Sequence, residues 1–495
     1  MKRVLGNLFW TTASKLLDAA VRFLTVPIVL AHFGKLEFGL LALAFSINVF
    51  LAIADFGLNI NAVRRLSDHL VAGEGALLNR LVRACSFYYT VIGAINLVAV
   101  LVLGWMGPTW LKLDAAQAGD FFWMMSALGV ASFVSWSFAV HRQLIQAAGQ
   151  LGWDERNNLI CTLCVALLVW LTVVAGLDVV TYYVATLVIG LLPVALRVGK
   201  VRRLAPEVRI GLQRDWHTFK PMVNASAMIF IMSVAQVMAI HFRPLILAAR
   251  GSLEDVADYR ILQGVVSFAL LVSGGLLNVI YPEVARLEAQ GDTRRLRELA
   301  HRGTGLLLWG HLLLVAPLML ASGQILQLYV GDAFTYLALP LALWLLTCIA
   351  GHNAIFSSVL LSRGRLGWLT STSVFNAVLT LAFAWWLVPA YGLDAVVWTY
   401  VLYFVLQTIV FYGLLAPPLQ LGTVAQIARI AVRPVLGVGL AVALSVAAVV
   451  QFGGPLWVAG LLSALTIVCA WALVGGGWRG VRALFPGAAR GALSP

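Results

Sequence analysis

Residues 27–37, Pro27-Ile-Val-Leu-Ala-His-Phe-Gly-Lys-Leu-Glu37, return 217 positions later as Pro244-Leu-Ile-Leu-Ala-Ala-Arg-Gly-Ser-Leu-Glu254, with six of eleven positions identical. At the same offset Gly57 falls on Gly274 and Asn61 on Asn278, and after a one-residue slip Gly73 falls on Gly291 and Leu78 on Leu296. Chance similarity in an apolar sequence does not hold Pro, Gly and Glu at fixed spacing across a loop, so the match reads as an internal repeat. Six hydrophobic spans lie between the copies, which gives both the same orientation in a membrane. Parallel repeats of this kind build two halves about an axis along the membrane normal, with the substrate path at their interface. The expected division is an N-terminal six-helix lobe at 1–205, a second six-helix lobe at 206–416, and two extra helices with a cytoplasmic tail at 417–495. Pro417-Pro418 marks the last break.

The composition agrees with a lipid solvent. Hydrophobic residues make up 61% of the 495-residue chain and charged residues 11%, against roughly 25% charged in a soluble domain. A span needs about 20 mostly apolar residues, and such runs begin near Leu8, Phe38, Ala84, Phe121, Leu159, Val179, Pro221, Val256, Gly305, Ala333, Leu366, Leu393, Ile427 and Pro455. The fold class is therefore all-α and polytopic, with about fourteen transmembrane helices. The first run contains Lys15, Asp18 and Arg22 and lacks a signal-peptide core, so it reads as a retained span. With the N-terminus inside, the segments on the cytoplasmic side carry 27 of the 34 Lys and Arg, and the outer loops carry Lys35, Lys112 and Arg250. This asymmetry follows the positive-inside rule. The net charge of +13 is then a topology signal, and no nucleic-acid partner is expected.

Four basic residues remain, Lys15, Arg22, Arg243 and Arg260, and all fall inside spans. A charge at membrane depth costs about 2.5 kcal/mol or more, so it faces protein or a water-filled cavity and marks a functional site. Lys15, Asp18 and Arg22 are spaced by three and four residues, one face of a helix, with Lys15 and Arg22 about 10 Å apart in height. The repeat makes the seventh span equivalent to the first; Ala239 matches Arg22, and Arg243 lies one turn on. A cavity lined by these four cations attracts an anion, with Arg suited to bidentate phosphate contact. In the competing reading Asp18 neutralises Lys15 or Arg22, while Arg243 and Arg260 pair with Glu254, Asp255 or Asp258 and merely tie helices together. Asp18, Asp55 and His241 are the gate or coupling candidates. The histidines show no ligand spacing; Cys161 and Cys164 have redox-motif spacing but sit in an apolar helix with no βαβ pattern and read as buried thiols, so no metal site or catalytic residue is expected.

The residues also carry a resemblance. Asn7-Leu-Phe-Trp10, Pro27 with Gly34-x-x-x-Phe38-Gly39-Leu, Asp55-Phe-Gly57-Leu and Arg64-Arg65 resemble the polysaccharide-biosynthesis (O-antigen, Wzx-type) flippases. Their superfamily also holds multidrug extruders and the lipid II flippase. The resemblance implies a V-shaped bundle of two six-helix lobes plus two helices in a bacterial inner membrane, with both termini cytoplasmic. It implies alternating access that turns a polyprenyl-pyrophosphate-linked oligosaccharide from the cytoplasmic to the outer leaflet for surface polysaccharide, including lipopolysaccharide. Its implied partners are that lipid, membrane lipids and other glycan-assembly proteins. No cofactor is implied beyond a coupling ion, H+ or Na+. In the family a cationic cavity receives the pyrophosphate, and Lys15, Arg22, Arg243 and Arg260 match it by location. A multidrug exporter of the same fold would need intramembrane carboxylates, and Asp18 stands against four cations. A membrane-embedded polymerase or ligase would need a catalytic constellation on a large outer loop, and the longest, residues 107–120, has neither His nor Arg.

Overall fold

Lipid offers the backbone no hydrogen bonds, so a spanning segment must satisfy its own N–H and C=O groups, which a helix does. A computed structural model describes residues 2–51, 58–206, 208, 211–277, 280–363, 365–415, 419, 421, 424–451 and 454–474, and among these no strand occurs. The helices are α1 (Lys2–Leu51), α2 (Leu58–Ala72), α3 (Gly75–Trp110), α4 (Ala115–Ser137), α5 (Ala139–Ala147), α6 (Leu151–Ala175) and α7 (Val179–Leu204). Then come α8 (Trp216–His241), α9 (Arg243–Arg250), α10 (Leu253–Leu277), α11 (Ile280–Ala289), α12 (Thr293–Glu298) and α13 (Thr304–Leu320). The chain continues with α14 (Ser322–Val330), α15 (Ala338–Leu345), α16 (Ala354–Ser362), α17 (Leu366–Ile409), α18 (Val424–Gln451) and α19 (Leu456–Val474). Asp55, Pro417-Pro418 and the tail from 475 lie outside the described residues.

Nine helical stretches among the described residues are long and apolar enough to cross a membrane. Two of them, Phe9–Leu51 and Gly367–Gly413, run for 43 and 47 residues, about twice what a bilayer needs. Each is broken at a glycine with positive φ, Gly34 at 76° and Gly392 at 50°, a conformation that costs an L side chain about 1–2 kcal/mol. Division at these glycines, together with α8, α10 and α19, gives fourteen spans among the described residues, in keeping with an all-α polytopic membrane protein. The two copies of the sequence repeat share a local plan. Gly34 breaks α1, and its counterpart Gly251 ends α9.

The helices pack into two compact units, one of residues 1–260 with 388–392, the other of 261–387 with 393–495. In the first, α3 lies along α4, and Gly104 permits the approach because a Cβ there would fall 2.9 Å from the Met125 Cβ. A core of Leu58, Leu66, Leu78, Tyr89 and Leu144 fills the end where α2, α3 and α5 meet. In the second unit, α18 and α19 pack on α13 through Val438, Ile467 and Trp309. The sequence of Thr293 to Arg302 is amphipathic and is expected to lie along the cytoplasmic surface near anionic lipid; its Leu296, Leu299 and Ala300 are instead buried in a protein core with Val284 and Phe356.

Charged groups join segments assigned to the same face. Asp154 is fully buried and accepts from Arg197 Nε at 2.6 Å and Arg142 Nε at 3.1 Å, tying α5, α6 and α7. Arg363 reaches Glu288 at 2.7 Å in the second unit. Asp215 caps α8 by accepting the Thr218 N–H at 3.0 Å and binds Arg80 Nε at 2.6 Å. On the opposite face Asp114 caps α4 in a capping box with Gln117, and Asp178 caps α7. Much of the acidic character of that face is thus helix capping.

Asp154→Ala removes the nearest carboxylate from two guanidinium groups, leaving Arg197 to Asn158 Oδ1 at 3.1 Å and Arg142 to Glu155 at 3.9 Å. We expect a loss of about 3 kcal/mol, the low end for a broken buried pair because Arg142 stays partly solvated, read as a lower unfolding temperature in detergent, whereas exposed Asp68→Ala leaves it unchanged. The Arg80 and Thr218 contacts hold the Asp215 carboxyl down at about 2. A depressed carboxylate stabilises the fold above its unfolded value, about 3.9, and that stability disappears as pH falls through its folded value. Between about pH 4 and pH 2 the unfolding temperature should therefore fall less steeply in Asp215→Asn than in the parent chain; identical slopes would remove Asp215 from the acid transition.

Candidate functional site

The first limb of α1 presents Lys15, Asp18 and Arg22 along one face. Arg22 Nε donates to Asp18 Oδ2 at 2.8 Å, and the two side chains remain 67% and 42% exposed. Lys15 lies two turns from Arg22, is exposed, and has no hydrogen-bond or ion-pair partner among the described residues. Arg22 is about 18 Å along the helix from Gly34, well inside the bilayer. Exposed ions at that depth are expected to line a water-filled cavity, because each costs about 2.5 kcal/mol or more against acyl chains. The three charges leave the stripe with a net positive charge.

Arg243 is placed differently. It is completely buried at the start of α9, where the chain breaks between α8 and α9 and Pro244 has no N–H to offer the Ile240 carbonyl. Two side chains repair the break. Arg243 Nε donates to the Ala239 carbonyl at 2.9 Å, and Tyr259 Oη of α10 donates to the Ile240 carbonyl at 3.1 Å. Arg243 is thus a cation and a backbone clamp at once.

Arg260, half-buried on α10, connects the groups. The Tyr182 hydroxyl feels both Arg260 and Arg22, the Tyr259 hydroxyl feels both Arg243 and Arg260, and His241 lies within electrostatic reach of Arg260. Arg260 is thus the link between the Arg22 side, through Tyr182, and the Arg243 side, through Tyr259, all within the first compact unit, with Lys15 two turns from Arg22 on α1. Among the described residues no three His, Cys, Asp or Glu side chains gather as metal ligands would.

Lys35 was read from sequence only as an outer-loop charge. Its ammonium donates to Asp258 Oδ2 at 3.0 Å and lies 3.6 Å from Glu254 Oε2, with the Lys35 side chain 27% and the Asp258 side chain 7% exposed. Glu254 and Asp258 stand one turn apart on α10, and that i, i+4 spacing opposite a cation was the available signal. Asp255 instead holds the start of α10, accepting from the Ser252 N–H at 3.1 Å and hydroxyl at 2.8 Å.

Fold and charge pattern together define a class, the all-helical polytopic membrane proteins. The chain is similar to "Lipid II flippase MurJ, inward closed conformation", with a TM-score of 0.72 and 11% identity over 98% of this chain and 99% of that one. It is also similar to an inward-facing multidrug resistance MATE family transporter of the MOP superfamily, at TM-score 0.69 and 14% identity over 81% and 94% of the two chains. The MATE multidrug transporter DinF-BH in complex with R6G matches at TM-score 0.57 and 15% identity over 85% and 96%. Within this class the chain belongs to the polysaccharide biosynthesis protein family, whose model matches residues 4–288. No curated protein matches it by sequence.

Asp258→Ala leaves the half-buried Lys35 without its nearest partner, an expected loss of roughly 2 kcal/mol for a charge-assisted hydrogen bond. The exchange Lys35→Asp with Asp258→Lys should recover at least half of the fall in unfolding temperature that either single change causes. A double variant as unstable as the two singles added together would show that the pair does not interact.

Proposed function

We propose that the chain is a flippase that carries a polyprenyl-pyrophosphate-linked oligosaccharide from the cytoplasmic to the outer leaflet, for assembly of a surface polysaccharide such as O-antigen. The observation that carries this reading is the open, net-positive stripe of Lys15, Asp18 and Arg22 at membrane depth, with Arg260 and Arg243 in electrostatic reach of its surroundings. Pyrophosphate is the complementary ligand: it is compact, multiply charged and suited to the planar fork of Arg22. Binding displaces Asp18 from Arg22 and leaves the carboxylate to Lys15, one turn away. The isoprenoid tail stays in the bilayer. The sequence repeat supplies the two lobes, 1–205 and 206–416, whose alternate opening moves the cargo, with the helices of 417–495 outside them. The excess of cytoplasmic Lys and Arg supports a bacterial inner membrane location with both termini in the cytoplasm. Asp18, Asp55 and His241 are the candidates for gating and for coupling to H+ or Na+, and other glycan-assembly proteins are the partners. A cationic drug is a poor fit, because Asp18 is already held by Arg22.

Arg22→Ala, at an exposed position, should insert and fold normally yet reduce surface polysaccharide at least tenfold in cells that depend on this chain, as seen on glycan-stained gels beside membrane-fraction blots. Arg243→Ala should abolish export too, and Arg243→Lys, which keeps a donor near the Ala239 carbonyl, should recover part of it. Normal polysaccharide in both Ala variants would overturn the cavity assignment. Loss of cationic dye export, with the glycan unchanged, would favour an exporter instead.

A further inference from the structure

We propose that the ends of α1, α6 and α7 assigned to the cytoplasm form a headgroup site for an anionic diacyl phospholipid. A cleft of about 250 Å³ opens there between Gly6, Asn7, Trp10, Gly152, Trp153 and Arg156. Its frame is built by backbone contact. Asn7 Oδ1 accepts the Gly152 N–H at 2.8 Å, and Asn7 Nδ2 donates to the Gly149 carbonyl at 3.1 Å. Gly152 lets α1 come this close, since a Cβ there would fall 2.7 Å from Asn7 Oδ1 and force that side chain off its hydrogen bond. Trp10 and Trp153 give the cleft aromatic walls, the composition found where a protein meets the headgroup layer.

The cations there are unspent. Arg156 is exposed and has no hydrogen-bond or ion-pair partner among the described residues, and Lys200 Nζ of α7 stands 5.4 Å from the centre of the Trp153 ring with no carboxylate on it. The adjacent carboxylates are already engaged. Asp154 is held by Arg142 and Arg197, and Glu155 lies 3.9 Å from Arg142 Nη2. The field at the cleft is therefore positive, and basic pockets between helices at this level suit phosphate headgroups.

Two apolar stripes identify the occupant as a lipid. On α6, Arg156 is followed at steps of four, three and four by exposed Ile160, Leu163 and Leu167. On antiparallel α7, Lys200 is preceded at steps of four by exposed Leu196, Leu192 and Val188. Each stripe starts at a cation and runs into the bilayer, the layout of a phosphate above two acyl chains. A free phosphate would use the cations and leave the stripes idle. The site is separate from the Arg22 region, so it stands whether or not the cargo reading does.

The test uses the purified full-length chain in detergent, with native mass spectrometry and unfolding temperature as readouts. The added probes are phosphatidylglycerol, phosphatidylcholine of the same chains, polyprenyl pyrophosphate and inorganic phosphate. Phosphatidylglycerol should remain bound and raise the unfolding temperature, and phosphatidylcholine should do neither. Arg156→Ala and Lys200→Ala should each weaken phosphatidylglycerol binding about fivefold, and Arg156→Lys should restore most of it. Equal binding of the two phospholipids, or variants that bind as the parent does, would overturn the proposal. So would retention of polyprenyl pyrophosphate without phosphatidylglycerol, which assigns the cleft to cargo, or an effect of inorganic phosphate as large as that of the lipid. The lipid-free unfolding temperature of each variant reports its fold, and should one fail to fold, the contrast between the two phospholipids in the parent still decides.

Discussion

A chain in hydrocarbon cannot leave a carbonyl or an amide unbonded, because the solvent offers no replacement and each orphan costs several kcal/mol. Continuous helix meets this demand, so the informative places are those where the helix stops. At Gly34 and Gly392 the stop is made by a positive φ that only glycine adopts cheaply. Between α8 and α9 no such glycine is present, and Pro244 removes a further donor. There Arg243 and Tyr259 supply the missing hydrogen bonds from side chains. The burial of a guanidinium at membrane depth, otherwise costly, follows from this backbone requirement as well as from any ligand.

The same demand sorts the ion pairs. Asp154 is wholly buried yet sits between two arginines, and Lys35 places its charge between two carboxylates of α10. These charges hold helices in register. Arg22 differs from them: its partner Asp18 is a neighbour on its own helix, and both stay open. A pair one turn apart on a helix is worth only a few tenths of a kcal/mol in solvent, so it can be exchanged for another anion at small cost. That contrast between locked and exchangeable charge separates frame from candidate site better than depth alone.

The spans, the helix class and the face occupied by Lys15, Asp18 and Arg22 could all be read from hydropathy and 3.6-residue spacing, since these are local properties of the chain. The burial of Arg243 could not, although Pro244 beside it was visible, because the donor to the Ile240 carbonyl comes from Tyr259, on another helix. Lys35 escaped for a similar reason: nothing within its own loop points to α10. The amphipathic pattern of Thr293 to Arg302 was legible, but whether its apolar side meets lipid or protein depends on Val284 and Phe356 elsewhere in the chain. Periodicity tells which residues share a face and is silent on what that face meets.

On the flippase reading, Asp18 answers a difficulty of the empty state. Two unshielded cations at membrane depth would each carry a penalty of about 2.5 kcal/mol or more, and a site left so charged would bind its cargo too tightly to release it. A carboxylate between them, three residues from Lys15 and four from Arg22, cuts the charge of the empty stripe from two to one. When a pyrophosphate takes Arg22, the carboxylate is free to turn to Lys15, and the charge imbalance stays small in both states. A carrier must bind and then let go, and a resident counterion that yields to the cargo and returns after release serves both steps.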